Sequence, residues 1–562
     1  MSIRSTLNKL LYGLIHKVVA LRDSRNTIAK WYPTCFGKNF LFDPMFQEPD
    51  GQAYFAKFHC EELDNPLTVN FKRFKTDIIR ARHCAAGSVH SVQVTEPSAL
   101  PVAVTGIPLR ESTASQTIKV DVEGKDLTLG DLASERYYYL PISAPGTVRL
   151  SSATDMIVGN PLPLAQKKRH QARMVMTIFM DNFGWDVLNF LNLERDVPNL
   201  ARFFSKGTVF DQCFSASNWT LASVGSIVSG RSTSHHNMFH NDRTDLLLGD
   251  DYKVLPEYFH DDGYLTLQVC GNVRKSPAYG FVKGYDRTVY RKDIGLGESL
   301  ETIYDHVRAF PERDHFVWLT IMDVHHTIAG VPDLTNQLNV PIEAHDYRKR
   351  KGKSPRVLGA DTRSIARYVQ DFKRADFYLG QLFAFLEERY GDDEMLVALV
   401  SDHGPGFLSE NTALLSSQKT HVPFMLRGRN VPTLRTSELI QGADILPSIL
   451  ALNGWTSANP IDGRVPEALG GDPGREFVLS EIRINGEKYL ATIRDRRFEF
   501  HMESVDRLGD EGSINLTGAT ITLHERDGDK TDIAGQHPDM VRRYSRYLHD
   551  FLGLPWQDSG ND

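Results

Sequence analysis

The run Met174-Val175-Met176-Thr177-Ile178-Phe179-Met180 is uninterrupted and apolar, and it stops at two polar groups, Asp181-Asn182. Three runs of the same kind follow: LTLQVC at 265–270, FVWLTIM at 316–322 and LVALVS at 396–401. Short Val/Ile/Leu-rich runs that alternate with helical patterns, such as 361–390, predict strands of a mostly parallel sheet covered on both faces. The chain therefore reads as an α/β protein. In such a sheet, loops and helix N-termini converge beyond the carboxyl ends of the strands, and ligands bind there. The third run ends in Asp323-Val324-His325-His326 and the last in Ser401-Asp402-His403-Gly404. One carboxylate at a strand end is an ordinary turn or cap residue. Three strand ends carrying carboxylate and imidazole together point to a divalent-metal site.

Outward from this core the character changes. Between about 40 and 165, short alternating runs such as 53–59, 88–94, 117–122 and 137–142 are separated by Gly, Pro, Asp and Ser, which predicts antiparallel β structure. A Pro- and Lys/Arg-containing linker at 161–173 leads into the α/β region. After about 456 shorter segments return, and a helical pattern at 538–552 closes the chain. The expected organisation is an N-terminal helix (1–30), a β-rich accessory domain (31–165), a catalytic α/β domain (172–455) and a C-terminal α+β subdomain (456–562). At 562 residues, with 41% hydrophobic and 24% charged residues, there is ample material for several cores, and disordered and collagen-like classes are excluded.

The formal net charge of −7 offers no global positive field for nucleic acid. Five cysteines without a CxxC pair suggest neither a disulfide framework nor a thiolate zinc site. No segment approaches the ~18 apolar residues of a membrane span, and no secretory signal pattern is evident, so a cytoplasmic location is expected. Ile3, Leu7, Leu10, Leu14, Val18 and Leu21 form an amphipathic stripe with basic neighbours. This stripe has two readings, docking on the protein's own core or peripheral contact with an anionic membrane. The basic run at 348–356 reads first as a solvated surface loop, and second as a border of the active-site mouth that attracts an anionic polymer or head group. His235, His236 and His240 read as loop histidines rather than ligands.

Several segments, in order, resemble the sulfatase-like members of the alkaline phosphatase superfamily. Met180-Asp181-Asn182-Phe183-Gly184 is similar to the family's opening metal-binding Asp-Asp. Thr220-Leu221-Ala222-Ser223-Val224, running into Ser229-Gly230-Arg231, resembles the C/S-x-P-x-R nucleophile signature with its downstream T-G-R. Asp323-Val324-His325 resembles D-P-H, Ser401-Asp402-His403-Gly404 resembles S-D-H-G, and 442–450 resembles D-x-x-P-T-L-L. The resemblance spans roughly 172–555 and implies an alkaline-phosphatase-like fold, with the mostly parallel sheet sandwiched by helices.

The departures carry chemistry. Thr220, Ala222 and Val224 stand where a sulfatase has Cys or Ser, Pro and Arg, and threonine cannot be oxidised to formylglycine. Threonine is the nucleophile of phospho-type relatives, which include phosphonate and phosphodiester hydrolases and the phosphoethanolamine or phosphoglycerol transferases. Gln418-Lys419-Thr420-His421-Val422-Pro423 resembles the T-H-V-P of those transferases, and Lys275 is the nearest replacement for the family's G-K-W-H lysine. The resemblance implies Asp181, Asn182, Asp402 and His403 as ligands of a divalent ion (Mn, Zn, Ca or Mg). It implies Thr220 as nucleophile and Arg231, His325 and Lys419 as phosphate or leaving-group contacts, with His326 and His421 as candidates for a second metal or a substrate contact. Thr220 also has a plainer reading as a helix N-cap.

The function expected is phosphoester hydrolysis or phosphoryl transfer through a phosphothreonine, on an anionic substrate carried by a glycan or phospholipid. The alternatives are a sulfatase-type ester hydrolase and a catalytically silent glycan- or lipid-binding relative. If the N-terminal stripe is a membrane contact, deleting residues 2–22 reduces co-sedimentation with anionic vesicles; unchanged binding identifies it as a segment docked on the protein's own core.

Overall fold

The computed structural model describes residues 45–47, 54–59, 76–104, 116–132, 137–240, 248–325 and 360–556, apart from scattered single positions. The 3–21 stripe, His326, the basic run 348–356, Cys35 and Cys60 lie outside the described residues. The protein is mixed α/β, with a large, mostly parallel central sheet, a β-rich N-terminal region and covering helices. All four apolar runs are strands, Met174–Met180, Leu265–Cys270, His315–Ile321 and Met395–Val400, and every residue in them is buried. That double-sided burial is why their sequences do not alternate.

The chain divides into two compact units: Met1–Met176 with Asp242–Thr320, and Thr177–Asn241 with Ile321–Asp562. In the first unit, Leu265–Cys270 pairs in parallel with Arg287–Tyr290 and with His315–Ile321. The other edge of Arg287–Tyr290 pairs antiparallel with Thr76–Cys84, which continues through Met156–Gly159 to Ser98–Val104. This joint explains why the units do not follow the sequence boundaries at 165 and 172. The N-terminal β region shares ladder hydrogen bonds with the first half of the α/β region, through a strand, Thr76–Cys84, that the alternation pattern does not mark. A second antiparallel sheet, His90–Val94, Gly146–Ser152, Gln116–Val122 and Lys125–Leu132, supplies Val94, Ile118, Val120, Val148 and Leu150 to a core shared with Leu100, Val102 and Val158.

In the second unit the strand order is Met174–Met180, Met395–Val400, His421–Gly428, Thr208–Phe214, Leu434–Gln441, with antiparallel pairs either side of His421–Gly428 and a parallel pair at the end. The tail forms a four-stranded antiparallel sheet over Val478–Glu525, and the helix Pro538–Leu552 packs Tyr544 and Leu548 into its core. Cys84, Cys213 and Cys270 are buried thiols outside any disulfide. No helix among the described residues is long and apolar enough to cross a membrane.

The first unit buries a lysine whose protonation its core disfavours. Lys275 is fully buried; its Nζ donates to Gln268 Oε1 and sits 4.3 Å from the Trp318 ring centroid. Burial pulls its pKa down to about 7. A base with a lowered folded-state pKa stabilises the fold fully above its unfolded value near 10.5, and that stabilisation is lost as pH falls toward about 7. Lys275→Met is therefore expected to flatten the dependence of the urea midpoint on pH between about 7 and 10. An unchanged slope contradicts the buried, neutral lysine.

Candidate active site

The strand Met174–Met180 delivers Asp181, fully buried, whose N–H donates to Ile321 O at 3.1 Å. Asn182 then turns into the left-handed region at φ 68°, a conformation few non-glycine residues adopt. The next three N–H groups end on side chains: Asn182 on Asp402 Oδ1 (2.9 Å), Phe183 on Ser401 Oγ (3.0 Å) and Gly184 on Tyr368 Oη (3.4 Å). Asp402 Oδ1 also accepts from His403 N at 3.0 Å, so its hydrogen-bonding capacity is occupied by backbone. Asp402 Oδ2 is buried, accepts no hydrogen bond among the described residues, and lies 3.3 Å from His403 Nε2. His403 Nδ1 is 3.2 Å from Gly404 O, an interaction that needs the proton on Nδ1 and leaves the Nε2 lone pair available.

One ligand atom from each of Asp181, Asp402 and His403 lies within 4.8 Å of the others. Two buried carboxylates facing one imidazole lone pair repel one another unless a cation sits among them. The orphaned Oδ2, the tautomer of His403 and the hard O/N donor set all fit a divalent metal ion. Asn182 contributes its backbone to this arrangement through Asp402.

Two glycines let the turns meet. A Cβ on Gly404 would lie 2.6 Å from Gln418 O and 2.8 Å from Gly184 Cα, and one on Gly184 would lie 2.9 Å from Gly404 Cα. The same region is stitched to the segment 413–420, since Gly404 N donates to Lys419 O at 2.8 Å and Ser215 N donates to Thr420 O at 2.7 Å. Three successive carbonyls of that segment are each held by a side chain: Ala413 O by Lys419 Nζ (2.9 Å), Leu414 O by Asn218 Nδ2 (2.7 Å) and Leu415 O by Arg494. Asn218 thus ties the metal-side loop to the turn that precedes Thr220.

Thr220 opens the helix Thr220–Ser229, all ten of whose residues are buried. The N-cap is Trp219, in extended conformation, and Thr220 is the first helical residue. The cap reading of Thr220 is thereby corrected: its hydroxyl makes no hydrogen bond among the described residues and stands at the positive end of the helix dipole. Ala222 and Val224 are fully buried. Arg231 follows the helix at its far end, on the order of 15 Å along the axis from Thr220, with Nε donating to Pro460 O at 3.1 Å.

His325 is more open, 36% exposed, with Nε2 3.9 Å from Asp181 Oδ1. Lys419 is buried, its ammonium reaching Ala413 O. His421 lies between Trp185 and Phe214, with ring centroids 5.4 and 5.0 Å away, and its Nε2 is 2.7 Å from Asp211 O. Burial lowers its pKa to about 4. The structure therefore gathers Asp181, Asp402 and His403 with His325 beside them. His236 packs against the helix Thr220–Ser229, its Nε2 3.0 Å from Ala222 O and 3.1 Å from Ser226 Oγ, and His235 pairs with Asp462 at 2.8 Å. Two further residues, Tyr368 and Asn218, support the site with no local sequence signal, while Ser401, which accepts from Phe183 N, is the serine of the S-D-H-G motif itself.

The sulfatase family model matches residues 173–455. No curated protein sequence matches the chain significantly. Solved structures with the same fold include the phosphonate monoester hydrolases of Agrobacterium radiobacter (16% identity, TM-score 0.52, covering 67% of this chain and 94% of that one) and Silicibacter pomeroyi (18%, 0.52, 67% and 94%). A 2-O GAG sulfatase is similar to the same extent (13% identity, TM-score 0.51, covering 67% of this chain and 91% of that one).

Asp402→Asn removes a charge and preserves an acceptor for the two N–H groups. The metal-free protein is expected to melt at the same or a higher temperature, because carboxylate repulsion is relieved. The upward shift in melting temperature that Mn2+ or Ca2+ gives the wild type should disappear. A full metal-induced shift in Asp402→Asn removes it from the ligand set.

Proposed function

The chain belongs to the sulfatase family, and within it we propose that this protein hydrolyses or transfers phosphoesters through Thr220. The observation that carries the reading is a buried threonine at the first helical position, where the resemblance puts the residue that becomes formylglycine in a sulfatase. Beside it, the buried Ala222 and Val224 leave no arginine on the first turn to meet a sulfate group. Metal dependence is general in the family, and a divalent ion held by Asp181, Asp402 and His403 supplies positive charge that favours the threonine alkoxide and neutralises ester oxygens.

In this mechanism Thr220 Oγ attacks phosphorus, the P–O bond to the leaving alcohol breaks, and a phosphothreonine is left on the helix N-terminus. The helix dipole and the N–H groups of its first turn stabilise the added negative charge. His325, open to solvent beside Asp181, is the group suited to protonate the departing alkoxide. Lys419 adds a buried positive charge from the segment that Asn218 links to the Thr220 turn. Water or an acceptor hydroxyl then attacks phosphorus, the P–O bond to Thr220 breaks and the threonine oxygen takes up the attacker's proton; the choice of attacker separates hydrolase from transferase. An anionic phosphoester on a glycan or phospholipid suits the sign of this site. The second reading, sulfate-ester hydrolysis, is favoured by the sulfatases among the structural neighbours.

Both readings are separated by one series. Metal-loaded wild type, Thr220→Ala and Thr220→Ser are assayed on an aryl phosphodiester, an aryl phosphonate monoester and an aryl sulfate. Thr220→Ala should lose roughly 10³-fold or more in kcat and stay folded, because Trp219 rather than Thr220 is the cap. Thr220→Ser should retain measurable turnover. A slow phosphodiester should also leave a mass adduct on wild-type Thr220. Near-normal turnover in Thr220→Ala, or activity on the sulfate alone, would overturn the proposal.

A further inference from the structure

The long helix Thr362–Arg389 carries Tyr368, which is fully buried and far in sequence from every strand-end motif. Its ring is fixed edge-on by Phe372 (centroids 4.9 Å apart) and Phe407 (5.3 Å), so its hydroxyl has a single aim. That hydroxyl donates to Asn182 O and accepts from Gly184 N at 3.4 Å. One helical turn on, Phe372 meets Phe183 edge-on at 4.7 Å. Residues at i and i+4 of one helix thus grip the turn Asp181–Gly184.

The grip has a mechanical consequence. Asn182 sits at φ 68°, in the left-handed region that Asn enters more readily than most residues with a Cβ, and Tyr368 holds the turn there by fixing the carbonyl. While the carbonyl is fixed, the N–H of the same residue points at Asp402 Oδ1, and that bond sets the rotation of the carboxylate and the aim of Oδ2.

We infer that Tyr368 is a positioning residue for the metal centre, acting through Asn182 on the orientation of Asp402. The inference rests on the metal reading of Asp181, Asp402 and His403. Removing the hydroxyl frees the Asn182 carbonyl, lets the turn relax and leaves the carboxylate held on Oδ1 by the N–H of His403 alone. Partners that orient ligands in this way typically change metal affinity by about 10–100-fold when lost.

The test uses the full chain and Mn2+ alone, with binding followed by titration and by the electron paramagnetic resonance spectrum of the bound ion. Tyr368→Phe is expected to weaken Mn2+ binding by about 10–100-fold and to broaden the spectrum, with an unchanged metal-free circular dichroism spectrum. Phe383→Leu, which loosens the same helix where it packs on Phe203 and Phe204 and leaves Tyr368 and its ring neighbours in place, should bind Mn2+ as the wild type does. The inference is overturned if Tyr368→Phe only lowers the metal-free melting temperature, with wild-type affinity and spectrum. It is also overturned if Phe383→Leu weakens binding equally, since packing of the helix rather than the hydroxyl is then responsible. A wild type that takes up neither Mn2+, Zn2+, Ca2+ nor Mg2+ overturns the metal reading itself, and is recognised because wild type and variant fail alike.

Discussion

The two oxygens of the Asp402 carboxylate live in different surroundings, and the rest of the site follows from that difference. Oδ1 takes the N–H groups of Asn182 and His403, so the anion is bound to the backbone of two separate strand-end turns. Oδ2 is left buried beside His403 Nε2 and within reach of Asp181. Among the described residues, donors reach one side of this carboxylate only, so its other oxygen calls for a counter-charge from outside them. The fold concentrates negative charge at one point and holds it there with hydrogen bonds that would cost about 1–3 kcal/mol each to leave unmade.

Much of this is legible in the sequence because strand ends are legible. Four apolar runs locate four strands, and the polar residues directly after them give Asp181, Asp402 and His403 without any tertiary information. Thr220 stands out through its spacing to Gly230-Arg231, yet its exact rank in the helix does not, since a cap and a first helical residue differ only in backbone dihedrals. Arg231 shows the converse difficulty. Eleven positions in sequence become the length of a helix in space, and only the helix puts Arg231 at the opposite end from Thr220. His421 looks like a ligand in the sequence because histidine is versatile; the aromatic rings of Trp185 and Phe214 that close over it come from other parts of the chain.

What escapes the sequence entirely is support that acts at a distance. Tyr368 belongs to an amphipathic helix whose pattern announces only a buried face, and one buried tyrosine there reads as core. Arg374, on the same helix, donates to Asp323 at 2.8 Å, in the turn that also carries His325. Asn218 reaches Leu414 O across nearly two hundred residues of sequence. The strand Thr76–Cys84 goes unmarked for a related reason: its apolar residues are few, and its place is given by the edge of Arg287–Tyr290 rather than by its own pattern.

The helix that begins at Thr220 has no face toward solvent. On an ordinary surface helix, half the positions drift without consequence, so chemistry and packing can change one at a time. Here they cannot. A cation at position 224 would need a hole lined with polar partners, and Val224 fills that space with an apolar side chain that is wholly enclosed. An arginine placed at 224 would therefore be opposed first by volume and desolvation, before any chemistry enters.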